Sequence, residues 1–317
     1  MIEVVVHAAR ALARDVLWLD LRERRGQALP GAEPGAHIDL VLPNGLTRSY
    51  SLTHTPGTPT QPSYEVAVAL DAASRGGSRW IHEHLRPGHT LRVSAPRNHF
   101  ALDPAHRRVL LIAGGIGITP LYAMAQQAQR QGLDWQLLAC ARSASRLAFV
   151  EELRALDPQR LHLHDDQVSG QPVDLNAWLN RADWDGVYAC GPAGMLDAIS
   201  ALTSHTAHWP AGRVRMERFR AAAQDEQAAR AFELVLARSG LTTTVQPQES
   251  ALDAMERLGL AHPFACREGL CGTCEVSLVE GTPEHRDSVL DPQQRAEGRC
   301  FIPCVSRCGG DRLVMDL

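Results

Sequence analysis

The stretch CREGLCGTC, Cys266–Cys274, places three cysteines at gaps of four and two residues. Plant-type iron–sulfur clusters take three thiolates from one loop with this C-x4-C-x2-C spacing and a fourth from much farther along the chain. Two glycines between the cysteines allow the backbone to turn tightly, so that N–H groups can point at sulfur. The stretch therefore predicts a [2Fe–2S] site with Cys266, Cys271 and Cys274 as three of its ligands.

Three later cysteines, Cys300, Cys304 and Cys308, compete for the fourth ligand position. Cys304 lies in FIPCVSR, where the apolar lead-in and the proline suit a buried, rigid approach. We therefore predict Cys304 as the ligand and the other two as small hydrophobic side chains. Structural zinc is the alternative. Zinc sites usually combine two CxxC or CxxH knuckles, but this loop has only one such pair, Cys271 and Cys274, and one additional cysteine, Cys266.

The composition limits the possible functions. The 317 residues suffice for two or three domains, and 44% hydrophobic and 21% charged residues are ordinary for a globular protein. The formal net charge of -4 provides no broad basic surface for nucleic acid or an anionic membrane. All 32 basic residues are arginines, which excludes pyridoxal chemistry and P-loop ATP hydrolysis, because both require a lysine.

The N-terminal segment and the cysteines indicate the compartment. MIEVVVHAARALARD has an acid at position 3 and no long apolar core, so it is unlike a secretory signal. The most apolar run, 109–125, contains glycines and a proline and is unlike a membrane span. Six of the eight cysteines follow residue 265, which favours metal ligation over disulfides. We expect a soluble, cytoplasmic monomer that binds neither nucleic acid nor membrane.

Two patterns divide the first part of the chain. Residues 1–102 carry short alternating segments such as EVVVHAAR and VLWLDLRE between Gly, Pro and Asn turns, which predict an antiparallel β-barrel or sandwich. From residue 103 strands and helices alternate, beginning with RVLLIA, a Gly-rich loop and the helix PLYAMAQQAQRQG, and continuing with the strand WQLLACA and the helix LAFVEELRAL. Repeated β–α units predict a parallel sheet covered by helices, an α/β domain over residues 103–222.

The last segment follows a polar stretch, Arg220 to Arg230, that we interpret as a linker. Strands FELVLARSG and TTTVQP precede the helix ALDAMERLG, in which Ser250 and Asp253 form a capping box and Gly259 ends the helix. A hairpin, one helix and a cysteine loop suit a compact α+β module of the β-grasp type over residues 223–317.

Two motifs in the barrel segment predict a flavin site. TRSYSLTH ends a strand, where Tyr50 offers a wall for a flat ring and Arg48 a charge for anionic groups. Farther on, SRGGSRWIHEHL begins a helix whose first N–H groups and positive dipole end suit a phosphate. Together they outline a flavin mononucleotide site. Its predicted residues are Arg48, Ser49, Tyr50, Ser51, Arg75, Gly76, Gly77 and Ser78.

A further glycine-rich motif predicts a dinucleotide site. AGGIGITP follows a strand and opens a helix, for which we predict Thr119 as the N-cap and Pro120 as the first helical residue. The glycines Gly114, Gly115 and Gly117 leave room for a pyrophosphate at the helix N-terminus.

Other residues at the same sheet edge complete this prediction. ACGPAGM places Cys190 at the carboxyl end of a parallel strand, where ligands bind in such folds. The second strand ends at Arg142 in place of the usual acid, which by charge leaves NADPH open as the donor. MERF places Glu217 and Phe219 before the linker, and the Phe219 ring could cover a flavin.

The order of RSYSL, SRGGS, GGIGITP, CGP, ERF and CREGLCGTC…C resembles the phthalate dioxygenase reductase family, which includes vanillate demethylase reductases, within the ferredoxin–NADP+ reductase superfamily. The resemblance covers essentially the whole chain. It implies an antiparallel β-barrel flavin domain, an α/β nucleotide domain and a plant-type ferredoxin domain, with FMN, NADH and a [2Fe–2S] cluster. It also implies a terminal Rieske non-haem iron oxygenase as the electron acceptor.

The resemblance also assigns residues. It implies that the motif residues of the barrel hold FMN, and that Phe219 lies over the flavin. The residues it places at the nicotinamide dinucleotide are Gly115, Gly117, Thr119, Cys190, Gly191 and Pro192. The cluster ligands it implies are Cys266, Cys271, Cys274 and Cys304.

Three functional hypotheses follow. The first is an NADH-dependent reductase that passes electrons one at a time to an oxygenase; it needs no general acid or base, so we predict no catalytic triad. The second is a stand-alone NAD(P)H oxidase or diaphorase, against which the sequence shows no H-x-x-x-H cluster, haem-ligand motif or second metal set. The third is a zinc-stabilised, non-enzymatic binding protein with structural glycine loops.

Overall fold

The computed structural model describes residues 1–72, 74–204, 208–210, 212–220 and 230–317. The chain divides into two compact units, Met1–Phe219 and Arg220–Leu317. The predicted linker lies mostly outside the described residues, as does the predicted boundary between residues 222 and 223. None of the described helices combines the length and the apolar character needed to cross a membrane.

The first half of unit 1 is an antiparallel barrel, as predicted. Its six-stranded sheet has the order β5-β4-β8-β1-β2-β7, and a bridge between Leu52 and Val66 brings the two edges together. The inward faces carry fully buried side chains such as Leu19, Ile38 and Tyr64. The elements are β1 (Ile2–Ala13), β2 (Val16–Glu23), β3 (Leu29–Pro30), β4 (His37–Val41), β5 (Thr47–Ser51), β6 (Thr60–Gln61), β7 (Tyr64–Ala69), α1 (Gly77–His84) and β8 (Thr90–Val93).

The second half of unit 1 is a parallel sheet of order β11-β10-β9-β12-β13. Its central strand β9 is almost continuously apolar and buried, because helices cover both faces. The chain leaves β9 first towards β11 and then towards β12, so the strand order reverses beside β9. The elements are β9 (Arg108–Gly114), α2 (Ile118–Arg130), β10 (Asp134–Ala141), α3 (Val150–Leu156), β11 (Leu161–Asp165), α4 (Asp166–Ser169), α5 (Leu175–Leu179), β12 (Gly186–Cys190), α6 (Ala193–Thr203) and β13 (Val214–Glu217).

Two predicted helix starts in this half are wrong. The N-cap of α2 is Gly117, not Thr119, and the first helical residue is Ile118, not Pro120, because the 3-10 turn Gly115–Gly117 continues directly into the helix. Thr119 lies in the first turn, and its hydroxyl donates to the carbonyl of Ile116 at 3.0 Å. Helix α3 begins at Val150 rather than at the start of LAFVEELRAL, because Phe149 adopts a left-handed conformation with φ of 60°.

Unit 2 has the mixed five-stranded sheet β15-β14-β20-β16-β18. The capping box of α7 is confirmed, since Ser250 and Asp253 each bond the other's backbone N–H at 3.1 Å. Gly259 ends the helix region with φ of +78°. The sequence prediction missed three strands of this sheet, the two-stranded sheet of β17 and β19, and the helix α8. The elements are β14 (Phe232–Leu236), β15 (Leu241–Val245), α7 (Ala251–Arg257), β16 (Val276–Glu280), β17 (Pro283–Glu284), α8 (Pro292–Glu297), β18 (Cys300–Phe301), β19 (Arg307–Cys308) and β20 (Arg312–Met315).

Candidate functional site

The two predicted flavin motifs meet in the barrel. Arg48 on β5 donates a hydrogen bond to the carbonyl of Arg75, 3.3 Å away, just before α1. A Cβ on Gly77 would lie 2.7 Å from both Cγ and Nε of Arg48, so only glycine lets that side chain lie across the start of the helix. The strand and the N-terminus of α1 therefore form one site, with a guanidinium beside helix N–H groups.

The residues around this helix start are suited to a phosphate. Gly76, at the N-cap of α1, has φ of 91° and no side chain to occupy the space in front of the helix. The hydroxyl of Ser78 accepts from the N–H of Asp71 at 3.2 Å and donates to Ser74 at 3.0 Å, which orders the loop that leads into the helix. A guanidinium next to the positive end of a helix dipole binds an anion well.

Tyr50 lies two residues from Arg48 on the same face of β5. It is partly buried against the barrel core. Burial raises the pKa of its phenol, and the nearby Arg48 only partly opposes that effect. The ring is thus a neutral surface near Arg48, which suits a wall for a flat aromatic group.

Ser49 and Ser51 lie on the opposite face of β5, because side chains alternate along a strand. The sequence analysis did not identify the residues that contact this face. The Ser49 hydroxyl donates to Asp39 Oδ1 at 2.6 Å, and Arg97 donates to Asp39 Oδ2 at 2.5 Å. Asp39 is 3% exposed and lies on the neighbouring strand β4. The only sequence signal was an acid within the otherwise apolar strand HIDLV. Asp39 and Arg97 therefore support the strand from behind the site.

The two glycine-rich loops of the parallel sheet pack against each other. A Cβ on Gly117 would lie 2.1 Å from the carbonyl oxygen of Cys190, and one on Gly114 would lie 2.4 Å from Cδ of Pro192. On the facing loop, a Cβ on Gly191 would lie 2.9 Å from Gly114 Cα. These glycines thus permit close contact between the loops, rather than leaving open room as we had predicted for Gly114 and Gly117.

Both loops lie at the carboxyl edge of the sheet, because they directly follow β9 and β12, and the strand order reverses at this point. Crevices at such points bind ligands in open α/β sheets. Gly115 has φ of +55°, and a Cβ there would meet no described atom within 4 Å, so this glycine faces open space. Arg142 follows β10 at the same edge and is exposed. These are the positions at which a dinucleotide could approach the backbone.

Two ionisable side chains face each other on adjacent strands of this edge. Cys190 is fully buried and pairs in register with Glu217 on β13. Burial, and secondarily Glu217, raises the pKa of the thiol well above its usual range. Burial raises the pKa of Glu217 to about 8, and its Oε2 has no partner among the described residues. Burial thus favours the protonated, uncharged form of both groups.

Phe219 ends unit 1 two residues beyond Glu217. The residue is 38% exposed. An exposed ring at the end of β13 is available to cover a flat ligand.

The four predicted cluster ligands lie together in unit 2. Cys266 lies within hydrogen-bonding reach of Cys271 and Cys304, and Cys304 also lies within reach of Cys274. These contacts lower the pKa of the thiols Cys266 and Cys274. None of the eight cysteines, all within the described residues, forms a disulfide. These contacts link all four sulfurs into one group, as the ligands of a single iron–sulfur cluster must be.

Donors directed at the sulfurs support the same interpretation. The N–H of Glu268 donates to Cys266 Sγ at 3.3 Å, and the hydroxyl of Thr273 donates to Cys271 Sγ at 3.1 Å. The other two candidates have partners elsewhere, since Cys300 bonds Glu275 and Cys308 bonds the backbone of Gly310 and Arg312. The described residues contain no group of three or more His, Cys, Asp or Glu arranged for a single metal ion.

Two known domain families match this chain, one over the cysteine-rich region and one over the parallel sheet. Residues 234–309 match the 2Fe-2S iron-sulfur cluster binding domain, and residues 111–201 match the oxidoreductase NAD-binding domain. The predicted [2Fe–2S] and NAD-binding domains are thereby confirmed.

Comparison with whole proteins gives three informative relatives. The reductase subunit TsaB1 of the toluene-4-sulfonate monooxygenase system of Comamonas testosteroni is 58% identical over 316 residues, covering 100% of this chain and 99% of that protein. The structure of phthalate dioxygenase reductase, described as modular for electron transfer from pyridine nucleotides to [2Fe–2S], is 32% identical with a TM-score of 0.70, covering 99% and 97%. An intact type IV self-sufficient cytochrome P450 monooxygenase is 36% identical with a TM-score of 0.90, and this chain spans only 41% of it.

Proposed function

Because the chain belongs to the phthalate dioxygenase reductase family of oxidoreductases, we propose that it takes electrons from NADH and delivers them singly to the oxygenase of a two-component system. The observation that carries this proposal is the set of four cysteine sulfurs brought together in a [2Fe–2S] domain, on the same chain as an NAD-binding domain. In functional terms we divide the chain into a flavin barrel (1–102), a nucleotide domain (103–222) and a ferredoxin domain (223–317).

We propose FMN as the group between the donor and the cluster. When bound, FMN accepts the electron pair of a hydride and releases the electrons one at a time, which is needed because NADH gives pairs and a cluster takes single electrons. The barrel residues fit this group, since Gly77 leaves Arg48 beside a free helix start and Tyr50 provides a neutral wall. The proposed FMN residues are Arg48, Ser49, Tyr50, Ser51, Arg75, Gly76, Gly77 and Ser78.

For the dinucleotide we propose the crevice at the carboxyl edge of β9 and β12. Here Gly115 faces open space, while neutral Cys190 and Glu217 line the edge without introducing a charge beside the nicotinamide. Phe219, exposed just beyond β13, would lie over the flavin ring. The proposed dinucleotide residues are Gly115, Gly117, Thr119, Arg142, Cys190, Gly191 and Pro192.

The proposed cluster ligands are Cys266, Cys271, Cys274 and Cys304. The N–H and hydroxyl donors at Cys266 and Cys271 stabilise added negative charge on sulfur, so they favour the reduced cluster.

The proposed acceptor is a Rieske non-haem iron oxygenase, reached by a monomeric reductase in a transient encounter. Eight unpaired cysteines suit the reducing cytoplasm, where NADH is also found.

The visible spectrum of the purified protein tests this proposal. We expect flavin bands and a broad iron–sulfur shoulder that NADH bleaches, and turnover of a Rieske oxygenase when the two are mixed. A colourless protein would contradict the proposal, and a coloured protein that reduces only a haem monooxygenase would replace the acceptor while leaving the rest intact.

A further inference from the structure

A buried carboxylate lies beside the proposed cluster site. Asp287 is 5% exposed, and its side chain is fully enclosed. Its Oδ1 accepts hydrogen bonds from the N–H groups of Val289 at 2.9 Å and Leu290 at 2.8 Å. These bonds close a tight turn directly after Asp287, which we call the Asp287 turn (residues 287–290). The carboxylate therefore determines the conformation of this segment.

The Asp287 turn is attached to the loop that carries three of the cysteines. The N–H of Ser288 donates to the carbonyl of Gly269 at 2.8 Å, and Gly269 lies between Cys266 and Cys271. A Cβ on Gly269 would lie 3.0 Å from Cα of Asp287. The backbone of the cysteine loop thus packs directly on the Asp287 turn, with no space for a side chain between them.

The same turn is attached to the segment that carries the fourth cysteine. Ser306 follows Cys304 by two residues and is fully buried. Its hydroxyl donates to Asp287 Oδ2 at 3.4 Å and accepts from the N–H of Arg286 at 3.2 Å. In addition, Leu290 packs in one apolar cluster with Cys274 and Cys304. Both cysteine-bearing segments are therefore tied to a single turn.

We propose that Asp287 is a positioning residue of the iron–sulfur site, and that it holds the two cysteine segments at the spacing that one cluster requires. This inference rests on the proposed cluster ligands. Two basic side chains face the carboxylate, Arg295 at 3.6 Å from Oδ1 and His285 at 3.7 Å from Oδ2. A buried carboxylate close to a cluster also opposes the gain of an electron, so Asp287 lowers the midpoint potential.

The test compares Asp287→Asn with the wild-type holoprotein. The variant preserves the shape of the side chain while removing its charge and weakening its acceptor oxygens. We expect a higher midpoint potential in a redox titration followed by EPR, and about tenfold faster loss of iron to a chelator, as is typical when groups behind metal ligands are changed. Reduction of the flavin by NADH stays at the wild-type rate. Asp311→Asn, which changes an exposed carboxylate of the same unit, is the matched control and leaves both cluster readouts unchanged.

Ser306→Ala provides a second measurement. It removes the hydroxyl that links the segment of Cys304 to the Asp287 turn. It keeps the Asp287 charge, so we expect faster iron loss with a smaller change in potential. If Asp287→Asn does not fold, the measurements on Ser306→Ala test the inference by themselves. Wild-type potential and iron loss in the variants, even with a lower melting temperature, would overturn the inference and show a merely structural role. Failure of the cluster site itself is distinguishable, because then the wild-type protein would contain no iron–sulfur cluster.

Discussion

Replacing Gly117 by alanine tests whether contact between the two glycine-rich loops builds the dinucleotide site. The new Cβ would lie 2.1 Å from the oxygen and 2.4 Å from the carbon of the Cys190 carbonyl, whereas real Cβ contacts essentially never fall below 3.0 Å. Both atoms belong to backbone, which cannot rotate away as a side chain can. The φ of Gly117 is −60°, so alanine itself is not strained there. The effect is therefore purely steric, and the loops must separate by about 1 Å.

The magnitude follows from that displacement. Overpacking of this kind costs about 1–3 kcal/mol, which lowers the melting temperature of a unit this size by about 2–4 °C per kcal/mol. A shift of about 1 Å in a group that positions the substrate slows the reaction by roughly 100-fold. We therefore expect stopped-flow reduction of the flavin by NADH to slow by one to two orders of magnitude, while reduction by dithionite is unaffected.

Gly194→Ala is the matched control. Gly194 lies in α6 just beyond the second loop, and a Cβ there would meet no described atom within 4 Å. Alanine in a helix is favoured over glycine, so we expect a gain of up to about 1 kcal/mol and an unchanged rate. Equal rates of flavin reduction in Gly117→Ala and Gly194→Ala would refute the inference that this loop contact shapes the site.

Three further predictions concern other residues. Cys304→Ser should lose most cluster absorbance and electron transfer to cytochrome c while NADH still bleaches the flavin; the same loss in Cys300→Ser instead would show that the ligand assignment is wrong. Arg142→Ala should raise KM for NADH and for NADPH by a similar factor and so keep the preference for NADH, because it removes a contact to the part that the two dinucleotides share; a selective loss of NADPH turnover would instead assign Arg142 to a 2′-phosphate. Because the folded-state pKa of Glu217 is raised from 4.5 to about 8, folding retains a proton that the unfolded chain loses, so stability falls as pH rises between those values. This decrease in the free energy of unfolding amounts to a few kcal/mol, and Glu217→Gln should abolish it in thermal unfolding measured against pH. A pH profile equal to that of the wild type would contradict the raised pKa of Glu217.

Local patterns predicted most of the elements near the sites. The change from alternating strands to β–α units at residue 103 distinguished the barrel from the parallel sheet. A strand buried on one face alternates apolar and polar residues, whereas a strand covered by helices on both faces is almost continuously apolar. Thr119 was misassigned as an N-cap because the first turn of α2 follows a glycine 3-10 turn without a break. Strands β16, β18 and β20 were missed because they pair with segments distant in the chain.

The sequence by itself determined the chemistry of this protein. The C-x4-C-x2-C spacing and the glycine motifs are properties of neighbouring residues and indicated the cofactors, while the absence of lysine in the whole composition excluded other chemistry. Only the tertiary structure decided which groups meet. It joined Cys304, rather than Cys300 or Cys308, to the other three sulfurs, and it showed that Gly117 packs on Cys190. It also revealed Asp39 and Asp287, whose roles depend on partners far away in sequence. Such contacts arise from packing among distant segments, which no local pattern records.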